Sequence, residues 1–187
     1  MNIRKYDLKF KSILEVNSIK DISIASVSSI GIATDGSVWA AFKEAKDGDQ
    51  EGNMLVKISL DGKVIKNIEY DKKPFCVCID KSDNSVWVTG MTILKDFSRL
   101  GDEWPSTLSG FYETIETEVE TFTHKYNSKG ERILELEKGG YSIDIDPSDK
   151  SVWIGGHDSI IHYSSKGDLI KENKDVSKQK KWIVVVK

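Results

Sequence analysis

Cysteine is scarce: Cys76 and Cys78 are the only two among 187 residues. A disulfide-stapled secreted fold needs more. They lie two apart in an alternating apolar run, so both point to one face of a strand. With no further Cys and no His nearby in sequence, they read as free, packed thiols. Long apolar runs are missing as well. None approaches the roughly 20 residues of a membrane-spanning helix, so no membrane is expected as a partner. Met1-Asn2-Ile3-Arg4-Lys5 leads into no apolar signal core. The chain therefore reads as cytoplasmic, although a piece of an exported protein would look the same. Basic charge is not in surplus: 27 Lys and Arg face 30 Asp and Glu, a net charge of -3. Nucleic-acid binding calls for a basic face, so no nucleic acid is expected. There is also no Gly-rich phosphate loop, nucleophile elbow or His-Glu metal motif, and no cofactor is expected.

What the chain does have is a repeat. Ser37-Val38-Trp39, Ser85-Val86-Trp87 and Ser151-Val152-Trp153 each follow an Asp-rich turn. Before each turn lies an alternating apolar pair: Ile30 and Ile32, Val77 and Ile79, Ile143 and Ile145. Period-two alternation signals a strand, and Asp, Asn, Ser and Gly signal the turn. A second half-unit follows each Trp: an apolar strand, a Gly turn (Asp61-Gly62-Lys63, Lys129-Gly130-Glu131, Lys166-Gly167-Asp168) and another strand. Glycine supplies the positive φ such a turn needs. Each unit thus holds four strands, a to d. Four short antiparallel strands in a repeat of about 40–50 residues predict an all-β fold, a β-propeller or partial propeller of four-stranded blades.

The repeat places three full blades at about 28–70, 74–138 and 140–172 in a single domain spanning 1–187. Residues 1–17 match strands c and d only, and 182–187 match strand a only. Raw edges of this kind attract further strands. A homodimer that completes the ring is one expectation, with a hybrid blade that lacks strand b unless 18–27 supplies it.

Strands b and c of the second blade are separated by an insertion, 92–121. Long loops on rigid scaffolds are where binding residues concentrate. Arg99, Trp104, Phe111 and Tyr112 are the candidates there for contacting a ligand or partner, aromatics being common anchors. The alternating run Glu113, Glu116, Glu118 and Glu120 suggests strand c extended outward with an acidic face. The first b–c loop carries Asp47, Asp49 and Glu51, which begin like a calcium loop. The twelfth position from Asp47 is Ile58, where a bidentate Glu should stand, so the loop reads as solvated and acidic, with no metal. For catalysis the candidates are His157, beside Asp158 in a rim turn, and Glu103. His162 aligns with Lys57 and Lys125 and reads as structural.

The stretch IDIDPSDKSVWIGG followed by IIHYSSKGDLI resembles NHL-type propeller repeats, and those from Pro74 and Ser28 resemble them more loosely. The resemblance implies the propeller fold. Among functions it implies protein- or RNA-binding scaffolds, sensor domains and a few enzymes such as virginiamycin B lyase. The RNA-binding members carry a basic top face, which this chain lacks. The expectation is a non-enzymatic scaffold that contacts a protein or small ligand through its rim loops. The alternative is a lyase or hydrolase of the virginiamycin B lyase-like kind, with His157 as base.

Overall fold

A computed structural model describes residues 3–6, 12–16, 23–45, 51–93, 119–156 and 159–174. The described residues are all strand and turn. In chain order the strands are β1 (Ile3–Tyr6), β2 (Ser12–Val16), β3 (Ser23–Ile32), β4 (Val38–Ala45), β5 (Glu51–Ile58), β6 (Val64–Tyr70), β7 (Lys73–Asp80), β8 (Ser85–Ile93), β9 (Val119–Tyr126), β10 (Arg132–Leu136), β11 (Ser142–Ile145), β12 (Val152–Gly155), β13 (Ile160–Tyr163) and β14 (Leu169–Asn173). β1 and β2 pair alone, and the rest form three four-stranded sheets, β3–β6, β7–β10 and β11–β14. Within each sheet every strand is antiparallel to the next in sequence.

One local device recurs at the head of every second strand. Asp35, Asp83 and Asp149 each accept a hydrogen bond from the backbone N–H two residues on, at Ser37, Ser85 and Ser151. The residue between adopts a left-handed backbone: Gly36 at φ 78°, Asn84 at 57° and Lys150 at 65°. These are Asx turns, in which a short carboxylate mimics a backbone acceptor. The serines are buried because they start the strand that runs into the core. The third-to-fourth-strand turns are equally alike. Gly62, Gly130 and Gly167 all have φ between 81° and 91°. Ser59, Asn127 and Ser164 accept from the backbone N–H four residues on.

The repeated Trp fills the seam between one sheet and the next. Trp39 lies in a buried cluster with Val77, Val86, Val88, Phe122 and Tyr126 of the second sheet. Trp87 lies likewise with Ile143, Ile145, Val152, Ile154, Ile161 and Tyr163 of the third. Aromatic burial on this scale makes each Trp the largest contributor to its seam. The inner strands stand side by side, β3 against β7 and β7 against β11.

Two elements differ from the sequence reading. β3 begins at Ser23, not near Ser28, and pairs with β4 as far as Ser23↔Ala45. Residues 23–27 therefore lengthen the first inner strand and supply no separate strand b. The insertion is also shorter than its sequence span, because β8 runs to Ile93 and β9 starts at Val119.

Candidate functional site

In all three sheets the second strand ends and the third begins at one rim. Their ladders differ in length. β12 and β13 pair from Val152↔Tyr163 only to Gly155↔Ile160. β4 and β5 continue to Ala45↔Glu51, and β8 and β9 to Ile93↔Val119. The first two sheets thus raise antiparallel ribbons beyond the point where the third stops. Glu120, on the ribbon, is tied down by Lys72 at 3.1 Å. Beside the ribbons, where the inner strands begin, Phe75 and Tyr141 meet at 5.5 Å between ring centroids. Both rings are half-buried, and the Lys73 ammonium lies 5.1 Å from the Phe75 centroid. A cation thus lies beside two tilted aromatic rings next to the ribbons.

Below this rim, between the first and second sheets, a groove of about 380 Å³ is lined by Lys66, Tyr70, His124, Tyr126 and Arg132 among others. It holds a continuous hydrogen-bonded chain. The Tyr70 hydroxyl donates to the Tyr126 oxygen at 2.6 Å. The Tyr126 hydroxyl lies 3.3 Å from His124 Nδ1, and His124 Nε2 lies 3.5 Å from Glu135 Oε1. Only one tautomer satisfies every link. The Glu135 carboxylate can only accept, so a neutral imidazole carries its hydrogen on Nε2, and Nδ1 accepts from the Tyr126 hydroxyl. Arg132 Nη1 anchors the same carboxylate at 3.2 Å. Tyr70 stacks on Phe122 at 5.2 Å and on His124 at 5.6 Å.

The electrostatics keep this chain neutral. Burial pushes the Tyr70 phenol far up, helped by Tyr126. Burial raises Tyr126 as well, against the hydrogen bond with Tyr70. Burial lowers His124, and the Arg132 cation lowers it further, outweighing Glu135 and Asp71. The phenols therefore stay protonated and the imidazole neutral, so each link of the chain is a hydrogen bond between uncharged groups up to Glu135.

A second cleft, about 460 Å³, runs along the inner strands past Cys78, Asp80, Asp144 and Lys150. The Cys78 thiol donates to Asp144 at 3.6 Å. Burial, then the Asp144 carboxylate, pushes it up to about 12, which keeps it a thiol. Both cysteines are free and half-buried. Asp80 is held low: burial opposes ionisation, but the Ser82 hydroxyl and N–H and the Lys150 ammonium outweigh it. Lys150 reaches Asp80 at 3.4 Å and ties the third sheet to the second.

Of the residues the sequence singled out, Glu51 opens β5 opposite Ala45. Asp47, Asp49, Arg99, Glu103, Trp104, Phe111, Tyr112, His157 and Asp158 lie outside the described residues. Among the described residues no three His, Cys, Asp or Glu converge as a metal would require. The sequence reading missed the groove. Tyr70 and His124 are more than fifty residues apart, and only the packing of consecutive sheets unites them.

Among solved structures, the chain is similar to a functionally unknown protein from Desulfotomaculum acetoxidans DSM 771, at 14% identity and TM-score 0.57, over 94% of this chain and 49% of that one. It is also similar to a gluconolactonase from Xanthomonas campestris, at 11% identity and TM-score 0.53, over 94% of this chain and 55% of that one. The fold is a β-propeller. Among the described residues its full blades are the three four-stranded sheets. The chain spans about half the length of these solved structures (49% and 55%). Identities of 14% and 11% speak to the fold alone. No protein-family model and no curated protein matches the sequence.

Proposed function

We propose that the chain is an NHL-like propeller scaffold that binds a protein partner or small ligand at its rim. The observation that carries this reading is the pair of raised ribbons, β4–β5 and β8–β9, beside the Phe75–Tyr141 pair. Ribbons that outrun the blade spend backbone order on presenting their connections, 46–50 and 94–118, which is costly unless those connections make contacts. Arg99, Trp104, Phe111 and Tyr112 fall in the second connection and are the proposed anchors. The Tyr70–Tyr126–His124 chain supports this reading by holding the groove wall in one geometry. An enzymatic reading with His157 as base, assisted by Asp158 or Glu103, has only the fold shared with the gluconolactonase behind it.

The test is affinity capture from a native extract with quantitative mass spectrometry, comparing the wild type with the Trp104→Ala/Phe111→Ala double variant. Loss of specific partners in the variant is expected. An unchanged partner set would remove the 94–118 connection from the site.

A further inference from the structure

In the groove between the first and second sheets, Tyr70, Tyr126, His124 and Glu135 stand in a row with three links. Three hydrogens serve them. The Tyr70 hydrogen fills the first link, the Tyr126 hydrogen the second and the Nε2 hydrogen of His124 the third. Glu135 ends the row as a carboxylate that only accepts, and Arg132 holds it at 3.2 Å. The row crosses the seam, since Tyr70 ends β6 while the other three lie on β9 and β10. With both hydroxyl hydrogens committed, the tyrosine pair shows the groove only oxygen lone pairs.

A fourth hydrogen has no link to fill. His124 is the member that takes one from water, at Nδ1, as imidazoles do in acid. Tyr126 faces it from its own strand, and Arg132 and Glu135 from β10. Tyr70 and Asp71 face it from the end of β6 and the turn beyond. On β8 its registered neighbour is Val88, which carries no charge. Burial and then Arg132 oppose the added charge, against Glu135 and Asp71, so at neutral pH the row keeps its three hydrogens.

Both ring hydrogens of an imidazolium are fixed in direction. Nε2–H stays on Glu135, and Nδ1–H points at the Tyr126 oxygen. Only the hydroxyls can turn. Either Tyr126 swings its hydrogen onto the Tyr70 oxygen and Tyr70 releases its own, or Tyr126 goes on accepting from Tyr70 and releases its own. Both ways one hydroxyl hydrogen leaves the row, and both tyrosines line the groove. No O–H bond breaks, and the added proton comes from solvent.

We propose that protonation of His124 switches the groove: one proton at Nδ1 turns one phenol hydrogen out of the row, so the tyrosine pair accepts from a ligand at neutral pH and donates to one in acid. The switch is built into the seam and does not depend on contacts at the rim.

The test is solution NMR of the full chain, with carbon-13 at the tyrosine Cζ and nitrogen-15 in the histidine rings, from pH 7.5 to 4. His124 should titrate in the folded protein, and the Cζ signals of Tyr70 and Tyr126 should move with the same midpoint. Tyr126→Phe cuts the row, so His124 should still titrate while Tyr70 no longer follows. His124→Gln should remove the transition from both tyrosine signals, and it decides the matter if Tyr126→Phe does not fold. Tyrosine signals that ignore His124, or that keep the transition in His124→Gln, would overturn the proposal. So would a Tyr70 signal that still follows His124 in Tyr126→Phe, which would mean a charge felt through space. Unfolding before His124 takes its proton would overturn it as well.

Discussion

His162 stacks on Trp153 with ring centroids 3.9 Å apart and planes 13° apart. The pair occupies a repeated place. Trp153 is registered with His162 as Trp39 is with Lys57 and Trp87 with Lys125. In the first two blades the lysine ammonium lies over the indole, at 5.7 Å and 5.1 Å. Lys57 also donates to the Ser128 carbonyl of the next blade at 2.8 Å, so its chain crosses the seam. The flat, short imidazole of His162 lies down on its own Trp instead.

The Trp series should separate seam burial from mere repetition. Trp87→Ala removes a fully buried ring and should cost about 3–5 kcal/mol in unfolding free energy. Trp153→Ala, at the half-buried position, should cost roughly half that or less. Urea unfolding followed by far-UV circular dichroism measures both. Equal losses would contradict the seam assignment.

Acid should destabilise the protein in two stages. His124 is held below its ordinary value of 6.5, so the unfolded chain takes up its proton first and stability falls as pH drops through that window. Asp35 and Asp149 are lowered chiefly by hydrogen bonding with Ser37 and Ser151, and Asp61 is lowered to about 2 chiefly by Ser59. Their contribution is complete above the ordinary carboxylate value of about 4 and fades below it. Urea midpoints measured from pH 7.5 to 3 should show both declines. His124→Gln should abolish the first and leave the second.

The tautomer assigned to His124 has a spectroscopic consequence. Nitrogen-15 chemical shifts at neutral pH should show hydrogen on Nε2 and a bare Nδ1. Tyr126→Phe removes the donor to Nδ1 and leaves the Tyr70 hydroxyl without its acceptor. A loss of about 1–3 kcal/mol is expected, because a buried polar group is stranded. Hydrogen on Nδ1 would refute the direction of the chain.

Gly140 is fixed by close approach. A Cβ there would sit 2.1 Å from the Gly155 carbonyl oxygen, a backbone atom that cannot step aside. Its N–H also donates to the buried Thr89 hydroxyl at 2.7 Å. Gly140→Ala should cost about 1–3 kcal/mol or more, read as a lower midpoint in thermal unfolding.

The blades were legible in the sequence because a turn is a local event. Asp-x-Ser-Val-Trp writes its own geometry: the Asp accepts, the middle residue turns left-handed, and the Ser begins a strand. Alternation of Val77 with Ile79 and of Ile143 with Ile145 marked the seam faces in the same way. The groove was not legible. Tyr70 ends one blade and His124 lies in the next, and nothing within either segment announces the other. The exposure of Ile30 and Ile32 was hidden for the opposite reason. Their sequence resembles that of covered residues, and among the described residues no inner strand packs on their face of β3.

The rim and the groove depend on the order of the inner strands. Cys78 and Asp144 bring β7 and β11 together. The direct measurement is dibromobimane bridging of Asp144→Cys with Cys78 in a Cys76→Ser background, since the reagent fluoresces when it joins two neighbouring thiols. A fluorescent product of protomer mass is expected. Two separately modified thiols without bridging would contradict it.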